Sequence, residues 1–228
     1  MNRPQSLADP SRSLSEQAYQ EIRSRIITNL WPTGHQALEQ AIALELGMSR
    51  TPVREALIRL EKEGLVEVVP RHGMRVLPVS ANDMREIYEI LTALESMAAE
   101  LTARRKPSKA ELAPLEQASR DMEEALARDD LDGWADADSR FHRHLLDLCG
   151  NRMLADAVMR YWDRSHRVRM ITLRMRPPPV NSTREHREIA ARIRDGDARG
   201  AHELYREHRQ RASRELLGVL ERFGLHQL

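Results

Sequence analysis

Aromatic residues are scarce. Phe, Trp and Tyr make up 4% of the 228 residues, so core volume has to come from Leu, Ile, Val, Ala and Met. One cysteine, Cys149, excludes an intrachain disulfide. No apolar run approaches the length of a membrane span. The opening stretch MNRPQSLADPSRS has no apolar core of a secretory signal. Together these absences point to the cytoplasm, with no membrane partner. Excess charge of one sign is missing too: the net charge is +1, with ten basic against nine acidic residues in 1–77 and 26 against 26 in 78–228. Any nucleic-acid role must therefore rest on where the arginines sit.

What is present is helical period. Ala18, Ile22, Ile26 and Ile27 form an apolar stripe over 14–30, with Ser13 or Ser15 as cap and WPTG as stop. A short helix over 38–46 places Ala43 and Leu46 inward and breaks at Gly47. A third, 49–63, carries Val53, Leu57 and Leu60, tolerates Pro52 in its first turn and ends at Gly64. The period then changes: LVEVVP, RHG and MRVLP read as a hairpin over 65–77. Beyond Pro78 every periodic segment is helical, at 81–105, 109–128, 131–149, 152–175, 183–195 and 197–223. The expectation is a mainly α protein of two units, three helices with a hairpin over 1–77 and an all-α helical bundle over 78–228.

Two helices joined at Gly47, the second opening Ser-Arg-Thr-Pro-Val-Arg, make a helix-turn-helix pattern. Arg50 and Arg54 lie one turn apart and off the apolar stripe, so both face outward, where arginine can hold guanine O6 and N7 with two hydrogen bonds. Ser49 and Thr51, with the helix N-terminal amides, suit phosphates. An ordinary amphipathic helix with solvated arginines is the bland alternative; the hairpin context favours DNA.

The stretch SRTPVREALIRLEKEGLV, followed by PRHGMRV, resembles the winged helix-turn-helix of GntR-type bacterial transcription regulators. The resemblance implies base contacts from Arg50 and Arg54, backbone contacts from Ser49 and Thr51, and a wing tip at His72–Gly73 reaching the minor groove. A tight tip pressed on DNA would explain a residue without Cβ at Gly73. Two departures stand out: Gln40 replaces a basic residue common in relatives, weakening one contact, and PTG replaces Pro-Gly.

The all-α remainder resembles the FCD ligand-sensing domain of the FadR-like subgroup, through DSRFHRHLLDLCGN and REHREIAARIRDGDARGAHELYREH. The residues themselves give the same constellation. Asp138 and His142 share a face with Leu145, Leu146 and Cys149; His186 with Ile189, Ala190 and Ile193; His208 with Ala201, Leu204 and Ala212. His144 and His202 lie off those faces. An inward acid and three inward imidazoles are costly to bury separately. One divalent metal would satisfy all four: zinc first, with nickel, manganese or iron also suited. Each histidine singly reads better as a hydrogen-bonded core residue; the four together reverse that.

The FCD resemblance implies a small organic acid or sugar acid as effector. Leu91 stands where relatives carry an arginine, and Arg169, near Trp162, Ser165 and Thr172 on its helix, is the candidate replacement. The expected function is a metabolite-responsive repressor, a homodimer on a pseudo-palindromic operator. The alternatives are a metal-dependent hydrolase and a constitutive DNA-binding protein with a structural metal.

Overall fold

The structure, a computed structural model, describes residues 13–69, 72–225 and 227–228. The described residues divide into two compact units, those up to Val79 with Leu228, and those from Ser80 to Gln227.

The N-terminal unit is built by α1 (Leu14–Ile27), β1 (Gln36–Ala37), α2 (Glu39–Leu46), α3 (Arg50–Lys62), β2 (Val66–Val69) and β3 (Gly73–Val76). Ala18, Ile22 and Ile26 of α1 are buried with Ile42 and Ala43 of α2 and Val53, Leu57 and Leu60 of α3. Ser13 accepts from the Glu16 amide and starts α1. That helix ends three residues before the expected Leu30, because Asn29 turns left-handed at φ 59°. Gly47 separates α2 from α3 in the same conformation, φ 66°.

The strands form an antiparallel sheet in the order β1-β3-β2, with Ala37 opposite Met74 and Val68 opposite Met74 on the other side. β1 was not expected; two residues carry no readable alternation. It changes the reason for Gly73. That residue is buried at the start of β3 with φ +83°, and a Cβ there would stand 2.1 Å from the Ala37 carbonyl oxygen. The neighbouring strand by itself requires a glycine here. Gly73→Ala should therefore cost about 2–4 kcal/mol through a forced left-handed conformation and displaced β1, read as a lower midpoint in urea. A loss under about 0.5 kcal/mol would contradict this close packing.

The C-terminal unit holds α4 (Ala81–Arg105), α5 (Lys109–Ala127), α6 (Leu131–Leu148), α7 (Arg152–Thr172), α8 (Val180–Arg194) and α9 (Ala198–Arg222). Polar caps set five of the six starts: Ser80 and Ser108 make capping boxes with Asp83 and Glu111, while Asp130, Asn151 and Asp197 accept amides three residues on. α7 gives way to a 3₁₀ turn at Leu173–Met175, since the chain must be extended before Pro177. α8 begins at Val180, three residues earlier than the sequence suggested, directly after Pro179. The two longest helices, α4 and α9, pack on each other. α7 and α8 also pack on α4, α8 on α9, and α5 on α6 and α8. All six helices turn buried residues into the interior, and the polar cluster described below comes from α4, α6, α7, α8 and α9.

Candidate DNA-reading helix and buried histidine cluster

The start of α3 is solvent-facing. Ser49, Arg50, Thr51 and Arg54 are exposed, as is Gln40 on α2, while Pro52 and Val53 turn inward. Ser49 holds the cap position without a side-chain cap bond, so its hydroxyl is left for another acceptor or donor. Arg50 and Arg54 both reach the carboxylate of Glu39. His72 of the expected tip is exposed; Pro70 and Arg71, which fall within the expected hairpin, lie outside the described residues.

In the C-terminal unit, Asp138 and His142 come from α6, His186 from α8 and His208 from α9, all buried. One ring nitrogen of each histidine lies within 4.8 Å of the others'. Their other nitrogens are held from outside. His186 Nδ1–H donates to the Ser182 carbonyl at 2.6 Å. His208 Nδ1–H donates to Glu185 Oε2 at 2.7 Å. His142 Nδ1 meets the Tyr205 hydroxyl at 2.6 Å. With Nδ1–H so engaged, His186 and His208 are left with Nε2 as the lone-pair nitrogen, as in metal-binding histidines whose other nitrogen donates to a carbonyl or carboxylate that fixes the ring. The Nε2 atoms of His142 and His186 are 3.4 Å apart. That is long for a hydrogen bond and matches the about 3.4 Å edge of a tetrahedron with 2.0–2.1 Å metal–nitrogen bonds. The residues present therefore fit a bound metal ion.

Asp138 faces this group with one carboxylate oxygen and Arg169 with the other. Its Oδ1 lies 3.5 Å from His142 Nε2 and 3.6 Å from His186 Nε2, while its Oδ2 is bound by Arg169 from α7. Burial opposes the Asp138 carboxylate, yet Arg169 and the facing His142 outweigh it and hold its pKa well below the usual range. Burial drives all three histidines the other way, toward the neutral form: His186 falls to about 3, with His208 adding to the shift, and His142 and His208 are also lowered. Glu185, despite its own burial, is held at about 2 by its bonds to His208 and Arg211.

A second buried ion pair lies under the cluster. Glu95 of α4 binds Arg209 of α9, each 1% exposed. Burial raises the Glu95 pKa, against the pull of Arg209. Neither Glu95, Arg209, Glu185 nor Tyr205 was anticipated from sequence. His144 is half-buried, and His202 turns to Glu100 Oε2 at 2.9 Å, away from the cluster.

A cavity of about 200 Å³ adjoins the cluster, its wall including Tyr88, Asp138, Arg169, Arg176, His208 and Arg209. Arg169 Nη1 is buried there without a hydrogen-bond partner. Among the described residues Arg176 donates to the Thr172 and Arg169 carbonyls alone, and burial lowers its pKa. Leu91 is buried and does not line this wall; Tyr88 is the α4 residue that does.

The model of the GntR family of bacterial regulatory proteins matches residues 14–76, and that of the FCD domain matches 86–211, more than half of the chain. The chain belongs to the GntR family and carries an FCD domain. Among its relatives is an HTH-type transcriptional regulator from the TAR-I ttuE–ttuC′ intergenic region of Agrobacterium vitis, 50% identical over 131 residues, 57% of this chain and 77% of that one. The HTH-type transcriptional repressor RspR of Escherichia coli K12 is 29% identical over 83% of this chain and 84% of its own. The fold is that of E. coli McbR/YncC, at a TM-score of 0.78 and 22% identity over 90% of this chain and 97% of that one. The GntR–FCD chain is thus a DNA-binding transcription regulator, and the hydrolase alternative is set aside. No described helix is long and apolar enough to cross a membrane.

Proposed function

We propose that this regulator is a homodimeric repressor whose residues 1–77 bind a pseudo-palindromic operator and whose residues 78–228 dimerise and sense a small organic or sugar acid. The observation that carries the sensing role is the convergence of three histidine nitrogens beside a cavity whose wall holds an unpartnered Arg169 Nη1. In this reading His142, His186, His208 and Asp138 hold one divalent ion per chain, zinc by preference for its nitrogen-rich set. When bound, the ion supplies a positive centre with open positions for a carboxylate. Arg169 and Arg176 then receive the acid's remaining oxygens, because a buried guanidinium donor without a partner is costly until an anion fills its site. The ligands come from α6, α8 and α9, so an acid seated on them ties three helices together. It shifts operator affinity only if it binds the two dimer conformations unequally.

Base reading is assigned to Arg50 and Arg54, phosphate contacts to Ser49, Thr51 and Gln40, and a wing contact to His72 and the Gly73 backbone. One recognition helix reads few base pairs, which argues for two half-sites. Arg54→Ala should cost about 1–3 kcal/mol on the preferred site and relax one base position. Equal losses on preferred and random duplexes would reduce the residue to a phosphate contact.

The test of the whole reading is a titration. The protein's preferred duplex is selected from a random library, and binding to it is measured with and without a panel of hydroxy, dicarboxylic and sugar acids. At least one acid should weaken binding, and His186→Ala should blunt that response. If the metal-loaded protein ignores every acid, the constitutive reading with a structural metal replaces this one.

A further inference from the structure

Glu39 is the first residue of α2, and its side chain is 13% exposed. The arginines it meets are 62% and 60% exposed. Glu39 Oε1 and Oε2 both accept from Arg54 Nε, at 3.1 and 3.2 Å, and Arg54 Nη2 lies 3.0 Å from Oε2 in the same ion pair. Arg50 Nη2 lies 3.4 Å from the same Oε2. One anchored carboxylate on the supporting helix thus grips both arginines of the recognition helix.

The edge it uses matters. A guanidinium offers two paired edges, a side edge of Nε–H with one Nη2–H, and an end edge of Nη1–H with the other Nη2–H. Glu39 takes the side edge of Arg54. The end edge remains open, and guanine O6 and N7 need only one edge. Carboxylate and base do not compete for the same hydrogens. An exposed arginine otherwise spreads over many rotamers, and fixing it before encounter removes part of the ordering cost of binding. A shared carboxylate also lowers the charge both arginines present to any phosphate, which is the contact that drives sequence-independent binding.

We propose that Glu39 is a specificity-determining positioning residue: it holds Arg54, and with it Arg50, aimed at base edges and withholds both from the phosphate backbone. The proposal rests on reading these arginines as base contacts. It differs from a plain surface ion pair, which would only subtract negative charge when removed.

The experiment compares the wild-type protein, Glu39→Ala, Glu39→Gln and Glu39→Asp on two probes at one salt concentration. One is the duplex selected by the wild-type protein from a random library; the other is random-sequence duplex of equal length. Glu39→Ala and Glu39→Gln should each bind the random duplex more tightly. They should also lower the ratio of selected to random affinity by about tenfold, within the range a bidentate base contact supplies. The lost preference should fall at the base pair that Arg54→Ala relaxes. Glu39→Asp, which keeps the charge on a shorter arm, should recover part of the ratio. Glu39→Gln keeps side-chain volume, so its result stands even where the alanine variant melts early. An equal rise on both probes, with the ratio unchanged, overturns the proposal while leaving the arginine assignment intact if Arg54→Ala still relaxes a base. Equal losses on both probes for Arg54→Ala overturn the arginine assignment and the role of Glu39 together.

Discussion

Arg209→Ala should lower the stability of the C-terminal unit by about 3–5 kcal/mol, because it leaves the Glu95 carboxylate buried with its cationic partner gone. Arg209 lies fully inside, near the Trp162 and Tyr205 rings, so packing is lost as well as charge. Replacing both partners with apolar residues, Glu95→Leu with Arg209→Met, should recover most of that loss, since a buried ion pair is only weakly stabilising against an apolar pair of similar size. Urea unfolding followed by tryptophan fluorescence reads both, as Trp134 and Trp162 are buried in this unit. A single-variant loss under about 1 kcal/mol would mean that water or a moved side chain satisfies Glu95. A double variant no better than the single would mean that the pair itself is needed, through its 3.7 Å approach to His142.

Zinc should be the next largest influence. Chelator-treated protein given zinc at about 100–1,000 times its dissociation constant should gain roughly 2.7–4.1 kcal/mol, and His186→Ala should abolish most of that gain. Without metal, stability should fall as the pH drops from about 6.5 toward 3. The sign follows from His186: its imidazole takes a proton near 6.5 when unfolded but stays neutral to about 3 when folded. Between those values the unfolded chain binds the extra proton, so acid favours unfolding. His142 and His208 shift the same way, and Glu185, lowered to about 2, extends the loss below pH 4. The metal-free protein melting at a constant temperature between pH 7 and 5 would contradict buried neutral histidines.

The inward acid and histidines were legible because each shares a helical face with aliphatic residues four or more positions away, and that periodicity is a property of sequence. The same test, applied evenly, would have found two more. Glu95 follows Tyr88 and Leu91 at seven and four positions, and Arg209 follows Ala201 and Tyr205 at eight and four. Composition alone places Glu and Arg of a charged helix in solvent; only the shared face sets these two apart. Glu185 carries no such signal; its exposure is decided by α9 packing alongside, a tertiary event. Nor could β1 be read, at two residues, and with it the strand contact that requires a glycine at position 73 stayed out of sight. The Glu39 grip on Arg50 and Arg54 joins two helices across Gly47, an angle set by packing rather than by spacing.

The central claim, that His142, His186 and His208 with Asp138 hold a metal ion, is tested most directly by elemental analysis of the full chain purified without chelator, beside His186→Ala. About one divalent ion per chain in the wild-type protein, and a small fraction of that in the variant, is the result expected. Wild-type protein that contains no metal, takes up none from zinc, nickel or manganese, and melts unchanged with chelator would contradict it, and the four residues would then be a hydrogen-bonded polar cluster.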